Sequence, residues 1–155
     1  MSIVVSYELI VALLDRDPVC GIGYRTSDRD LAFMFTYPFE KLEAWQAARR
    51  LSAQVYSLTT QFPSEEKYGI VQQIRRAAIS VASNLSEGTG RYSAKDQGHF
   101  YSMAYSSLME LLNQLIISND LNYLTAKDYE NIRSLIEPLS AIITGLRKHT
   151  LNKQP

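Results

Sequence analysis

Five polar side chains recur at helical spacing within one stretch of the chain: Gln73, Arg76, Ser80, Asn84 and Glu87. At about 100° per residue they fall on one narrow stripe, beside an arc of Ile70, Ile74, Ala77, Ala78, Val81 and Leu85. An amide, a guanidinium, a hydroxyl, a second amide and a carboxylate in a line could form a catalytic site. They could also form a partly buried hydrogen-bond ladder to a neighbouring helix. The spacing favours the ladder. Arg76 lies nearly three turns from Glu87, too far for a direct pair, so its carboxylate partner must come from another helix, with Glu110 and Glu43 as candidates. A buried carboxylate needs hydrogen bonds or a cation. Asn84 and Glu87 can reach the Ser107 hydroxyl or the amides of the Gly88–Ser93 turn.

The partners that catalysis would need are missing. The histidines are His99 and His149. Asp96 and His99 have the i, i+3 spacing of helical metal sites, but a di-metal bundle needs a second such pair, and none exists. An Arg-x(4–6)-His ribonuclease pattern is absent: seven residues separate Arg91 from His99 and one separates Arg147 from His149. The run Gly88-Thr-Gly-Arg91 lacks phosphate-loop spacing and a preceding strand, and no G-x-S-x-G elbow occurs. The expectation is a protein without catalytic residues, cofactor or metal, in which the stripe is structural.

Arg49, Arg50, Arg75, Arg91, Lys95, Arg147 and Lys148 are candidate nucleic-acid contacts. Two adjacent arginines cannot both face inward, so Arg50 and Arg75 are expected to be exposed. The chain carries 16 basic and 16 acidic residues, so no global field announces nucleic acid. Symmetry in an oligomer would multiply the local basic positions. Ordinary solvated faces are the alternative.

These residues sit on four helical patterns with short joints. The first runs from about Phe39 to Thr60, with Leu42, Trp45, Ala48, Val55, Tyr56 and Thr59 inward. Phe62-Pro-Ser64 breaks it, and Ser64 with Glu65 and Glu66 reads as the N-cap and acidic first turn of the second, which runs to about Glu87. Gly88-Thr-Gly90 ends that helix, glycine being tolerant of a left-handed terminus. Ser93 to Asp96 opens the third helix as a variant capping box, and Thr125 to Asp128 opens the fourth, which ends near Lys148. Pro138 lies inside the fourth, facing away from the arc of Ile132, Leu135, Ile136, Leu139, Ile142, Ile143 and Leu146. Four such helices predict an all-α, antiparallel up-down-up-down bundle over residues 37–150, with a tail at 151–155.

The third helix has two apolar stripes: Phe100, Ala104, Leu108, Leu111 and Leu115, and beside them Tyr101, Tyr105, Met109, Leu112 and Ile116. Together they exceed the apolar arc of an ordinary amphipathic helix. Either this helix is central within the chain, or the second stripe packs on another subunit.

Residues 1–36 read differently. Val4, Tyr7, Ile10, Val11 and Leu14 could make one short element, and the rest is loop-like and mildly acidic. The expectation is a poorly ordered extension arising from a start upstream of Met34, with a regulatory arm as the alternative. The single Cys20 fits a reducing cytosol, and no stretch has the length of a membrane span.

Phe39-Glu-Lys-Leu-Glu-Ala-Trp45, Phe62-Pro63, the run from Gln73 to Ser80, and Asn84-Leu-Ser-Glu-Gly88 resemble the bacterial four-helix-bundle proteins of the 23S ribosomal RNA intervening-sequence family. Phe100, Ala104, Ser107 and Glu110 fit that family's third helix, and the likeness spans about Phe39 to His149. It departs at Ala82, where many members have proline, and at Ser106, where glycine often precedes the serine. The resemblance implies a bundle that assembles as a ring, typically a pentamer, with no established enzymatic activity or cofactor. A related branch, the accessory variability proteins of diversity-generating retroelements, implies nucleic acid and a nucleic-acid-processing protein as partners. The combined expectation is a cytoplasmic oligomeric scaffold or adaptor. Its ligand would be RNA, DNA or a nucleic-acid-bound protein; a protein-interaction module without nucleic acid is the alternative.

Overall fold

The computed structural model describes residues 36–152, of which 37–152 belong to the compact unit Tyr37–Pro155. The proposed N-terminal extension, with the short element from Val4 to Leu14 and Cys20, lies outside the described residues, as do the last three residues of the tail.

Among the described residues there are four α-helices and no strands: α1 (Glu43–Leu58), α2 (Ile70–Thr89), α3 (Ala94–Asp120) and α4 (Ala126–Leu151). Each packs on two others. α2 lies against α1 and α3, and α4 lies against α3 and α1. The core between them is aliphatic, with Leu51, Val55, Ile74, Val81, Leu85, Leu108, Leu111, Leu115, Ile136, Leu139 and Ile143 fully buried. A short 3₁₀ turn, Pro38–Lys41, leads into α1 and packs Phe39 edge-on against Trp45 at 5.0 Å.

Two helix starts follow from their capping residues. Ser93 Oγ accepts the Asp96 N–H at 3.0 Å and donates to the Asp96 carboxylate at 2.7 Å. Thr125 does the same with Asp128, at 3.1 and 2.7 Å. Each closes one of the orphan donors at a helix N-terminus. Asp96 is thus absorbed by a cap, and His99 beside it is exposed. No cluster of three or more metal-ligating side chains exists among the described residues.

The start of α2 differs from the sequence expectation. Ser64–Tyr68 forms a 3₁₀ turn, and the α-helix begins only after Gly69. The cap is Glu66, whose Oε2 accepts the Ile70 N–H at 3.1 Å while Oε1 accepts the Tyr123 hydroxyl at 3.3 Å. One carboxylate therefore closes the helix start and ties it to the joint between α3 and α4. The end of α2 differs too. Gly90 is in the right-handed region, and no described glycine has a positive φ. The glycine requirement belongs to Gly88, where a Cβ would sit 2.5 Å from Tyr101 Cε1. It permits close approach of α2 and α3. The left-handed stop is at Asn122 (φ 59°), after α3. There the Asn122 and Tyr123 N–H groups donate back to Asn119 and Ser118 carbonyls at 2.9 Å, in a Schellman arrangement.

α4 runs unbroken through the exposed Pro138 and ends at Leu151, three residues past the expected end near Lys148. Ala82, in place of the expected proline, lies within an uninterrupted α2. Tyr56 and Leu135, expected inward, are exposed. Both sit where the apolar arc of their helix meets solvent between neighbours.

Candidate functional site

The polar stripe lies along the seam between α2 and α3, and its members have unequal fates. At its centre Ser80 Oγ and Ser107 Oγ are 2.9 Å apart. Asn84 Nδ2 donates to the Ser80 carbonyl at 2.9 Å and to Ser80 Oγ at 3.2 Å. Ser107 also donates to the Met103 carbonyl at 3.0 Å. This group is the buried part of the ladder, and Ser80 rather than Asn84 makes the crossing to Ser107. One turn back, Arg76 meets Glu110 at 3.5 Å, the expected kind of inter-helix carboxylate. The two side chains are 75% and 43% exposed, so the pair is a surface bridge. Glu87 turns to Arg91, four residues on, at 3.3 Å, instead of to Ser107 or the turn amides. Gln73 is exposed. Ladder chemistry is therefore confined to Ser80, Asn84 and Ser107.

One member of the seam escaped the sequence reading. Gln114 is buried, and its Nε2 donates to Glu110 Oε1 at 3.1 Å, while its Oε1 is buried without a partner. The signal was available, since Gln114 stands one turn beyond Glu110 on the same face of α3. The bond between Ser80 and Ser107 and the pair of Arg76 with Glu110 tie α2 to α3 along this seam.

The basic positions divide into two groups. Near the junction of α1 and α2, Arg75 Nε donates to Thr59 Oγ1 at 2.8 Å and its guanidinium lies 4.8 Å from the Tyr56 ring centroid. This reverses the expected assignment: Arg75 is half-buried and Arg76 is the exposed neighbour. Thr59, a buried hydroxyl at the end of α1, is what draws Arg75 inward. Arg49 lies over Trp45 at 5.9 Å, and Arg50 is exposed. The second group is at one end of the bundle. Gly98 in α3 faces Leu151 in α4 so closely that a Cβ on Gly98 would fall 2.7 Å from Leu151 Cδ2. That contact brings the start of α3, with Lys95 in its first turn and Arg91 just before it, to the end of α4, with Arg147 and Lys148. Arg91 is fixed there by Glu87 and by the Phe100 ring, 4.3 Å beneath it. Phe100, on the first apolar stripe of α3, is accordingly half-buried.

The second apolar stripe of α3 is only partly free. Tyr101 is 3% exposed, packed against Gly88, and burial pushes its phenol above the ordinary tyrosine range. It cannot serve a subunit interface. Met109 and Leu112 are half-buried against this chain's own core. Tyr105 and Ile116 remain exposed, as do Met103 and Ile117 elsewhere on α3 and Leu121 just after it. No helix among the described residues is long and apolar enough to cross a membrane.

A family model described as 23S rRNA-intervening sequence protein matches residues 40–145. Among solved structures, a protein of unknown function from the S23 ribosomal protein family of Bacteroides thetaiotaomicron aligns with a TM-score of 0.64 at 19% identity. The alignment covers 68% of this chain and 95% of that one. At that identity the likeness establishes a common fold. No curated protein matches the sequence.

Proposed function

The chain belongs to the 23S rRNA-intervening sequence protein family, and from that premise we propose that it is a non-enzymatic, homo-oligomeric helical adaptor that binds RNA. The observation that carries the RNA reading is the Gly98–Leu151 contact, which packs the start of α3, where Arg91 and Lys95 lie, against the end of α4, which carries Arg147 and Lys148. Of the carboxylates nearby, Asp96 is engaged by Ser93, and Glu87 pairs with Arg91 in solvent, where such pairs are weak. A phosphate backbone can compete for these cations, with release of counterions.

The helices run up-down-up-down in this reading. The Arg76–Glu110, Ser80–Ser107 and Gly88–Tyr101 contacts support it for α2 and α3, because partners on α3 fall in number as those on α2 rise. The exposed residues Tyr105 and Ile116 on α3 form the subunit contact, and the family resemblance makes the ring a pentamer. A ring would repeat the basic end once per subunit. The cytosol is the compartment in which such an adaptor meets RNA.

Light scattering on the full chain, followed by a gel shift with RNA, tests both parts. A multimeric mass and a shift that weakens with salt are expected. A monomer at micromolar concentration contradicts the assembly. A multimer without any shift at low salt leaves a protein-interaction module instead.

A further inference from the structure

A second surface of the bundle has the chemistry of a nucleotide site. Where the end of α1 meets the start of α2, a groove of about 490 Å³ is lined by Tyr56, Tyr68, Val71, Arg75, Arg76 and Ile79, together with Lys67 and Gln72. Three of these eight residues are cations, of which Arg76 is paired with Glu110 on α3, and none of the eight is Asp or Glu. The groove lies at the start of α2, whereas the basic end lies beyond its finish.

Arg75 is built into this groove. Its Nε is held by Thr59 Oγ1, and that hydroxyl is itself anchored to the Val55 carbonyl at 2.9 Å. Its Cζ lies 4.8 Å from the centroid of the Tyr56 ring. A guanidinium has five donors, and its terminal nitrogens have no acceptor among the described residues. A cation fixed in place by neutral groups, with its fork left over, is pre-organised for an oxyanion. Beside it Tyr68 is 81% exposed on the 3₁₀ turn, with Lys67 Nζ 5.4 Å from its ring. A ring so exposed contributes little to the core. Its free face is what an unpaired base stacks on.

We propose that this groove takes unpaired nucleotides of a bound RNA, with a phosphate on the terminal nitrogens of Arg75 and a base on the face of Tyr68. The proposal rests on the RNA-binding reading above and adds a preference to it. Bases within a duplex spend their faces on one another, so a stacking platform selects single strands. An acidic peptide would satisfy the cations but would leave the flat face of Tyr68 without a use.

Fluorescence anisotropy on the full chain tests this, with a labelled oligouridine and an RNA hairpin stem of matched length as probes. Tyr68→Ala is expected to weaken oligouridine binding roughly five- to hundredfold, the range for loss of one base stack, and to leave the stem within about twofold. Tyr68→Phe, which keeps the ring face, should retain wild-type affinity. Arg75→Lys, which keeps the charge and loses the fork, should weaken the oligouridine selectively. Because Tyr68 is on the surface, loss of folding does not confuse the result. Equal losses on both probes, or none on either, overturn the proposal. So does a change of oligomeric mass in Tyr68→Ala, which would make the groove a subunit seam. If the wild-type chain binds neither probe at low salt, the proposed function itself fails; binding that ignores Tyr68 defeats the groove alone.

Discussion

The same chemical change, glycine to alanine, should act with opposite sign at two helical positions of this protein. Gly88 lies near the end of α2, where a Cβ would meet Tyr101 Cε1 at 2.5 Å, Tyr101 Cδ1 at 3.0 Å and Phe100 Cβ at 3.2 Å. The tyrosine ring is buried and Phe100 Cβ is fixed to the backbone, so neither can yield without moving α3. Forcing an extra methyl into such a contact costs about 1–3 kcal/mol. Two obstructed directions put Gly88 in the upper part of that range. Alanine recovers at most about 1 kcal/mol through helix propensity. The net expectation for Gly88→Ala is a loss of about 1–2 kcal/mol. Gly145 in α4 has nothing within 4 Å of its would-be Cβ, so Gly145→Ala keeps the gain alone, about 0.5–1 kcal/mol. Urea unfolding at one fixed protein concentration reads both as opposite shifts of the midpoint. A cycle with Tyr101→Leu should show coupling of about 1 kcal/mol with Gly88→Ala, because the smaller side chain makes room. If Gly88→Ala shifts the midpoint in the same direction as Gly145→Ala, the close approach of α2 and α3 is wrong.

Asn84→Ala should cost about 0.5–1.5 kcal/mol in urea unfolding, since the Ser80–Ser107 bond survives the loss of the amide; a loss beyond about 3 kcal/mol would show that Asn84 supports more than its own helix. Arg76→Ala should leave the midpoint within about 0.5 kcal/mol, because its pair with Glu110 is exposed; a larger loss would mean the bridge is shielded in the assembly. Asn122→Gly should be neutral or slightly stabilising and Asn122→Ala should cost about 1 kcal/mol, as the left-handed backbone there requires; equal midpoints would remove that argument. Burial raises the Tyr101 phenol above its ordinary 10.0, and burial with the neighbouring Glu66 does the same to Tyr123. Above that pH the unfolded chain releases protons that the folded chain keeps. The stability these groups contribute is therefore intact well below pH 10 and declines as the pH rises past the ordinary tyrosine value. Tyr101→Phe should flatten part of that decline, and an unchanged pH slope would refute the assignment.

What was legible in the sequence was whatever depends on local chemistry. Ser93 and Thr125 announce their helices because a capping hydroxyl bonds a backbone amide three residues on, within one turn. The four amphipathic patterns reveal the helices because burial follows the helical period. What failed depended on partners distant in the chain. The start of α2 is set by Glu66 bonding both Ile70 and Tyr123, and the second of these lies across another helix pair. Arg75 and Arg76 exchange roles because Thr59, sixteen residues away, offers an inward hydroxyl. Gly88 looked like a helix terminator; its actual constraint is a tyrosine on the neighbouring helix. The polar stripe was right about where α2 meets α3 and too generous about how much of it is buried, since periodicity gives direction and not depth.

The central claim is that the assembled bundle holds RNA through the cations at its Arg91–Lys148 end. The measurement that tests it most directly is the affinity of the full chain for RNA as a function of salt, for wild type and for the Arg147→Glu, Lys148→Glu double variant. For the wild type a linear fall of log affinity with log salt is expected, and for the variant a shallower slope with weaker binding at low salt, its oligomeric mass unchanged. Binding that ignores salt, or a variant with wild-type slope and affinity, would contradict it.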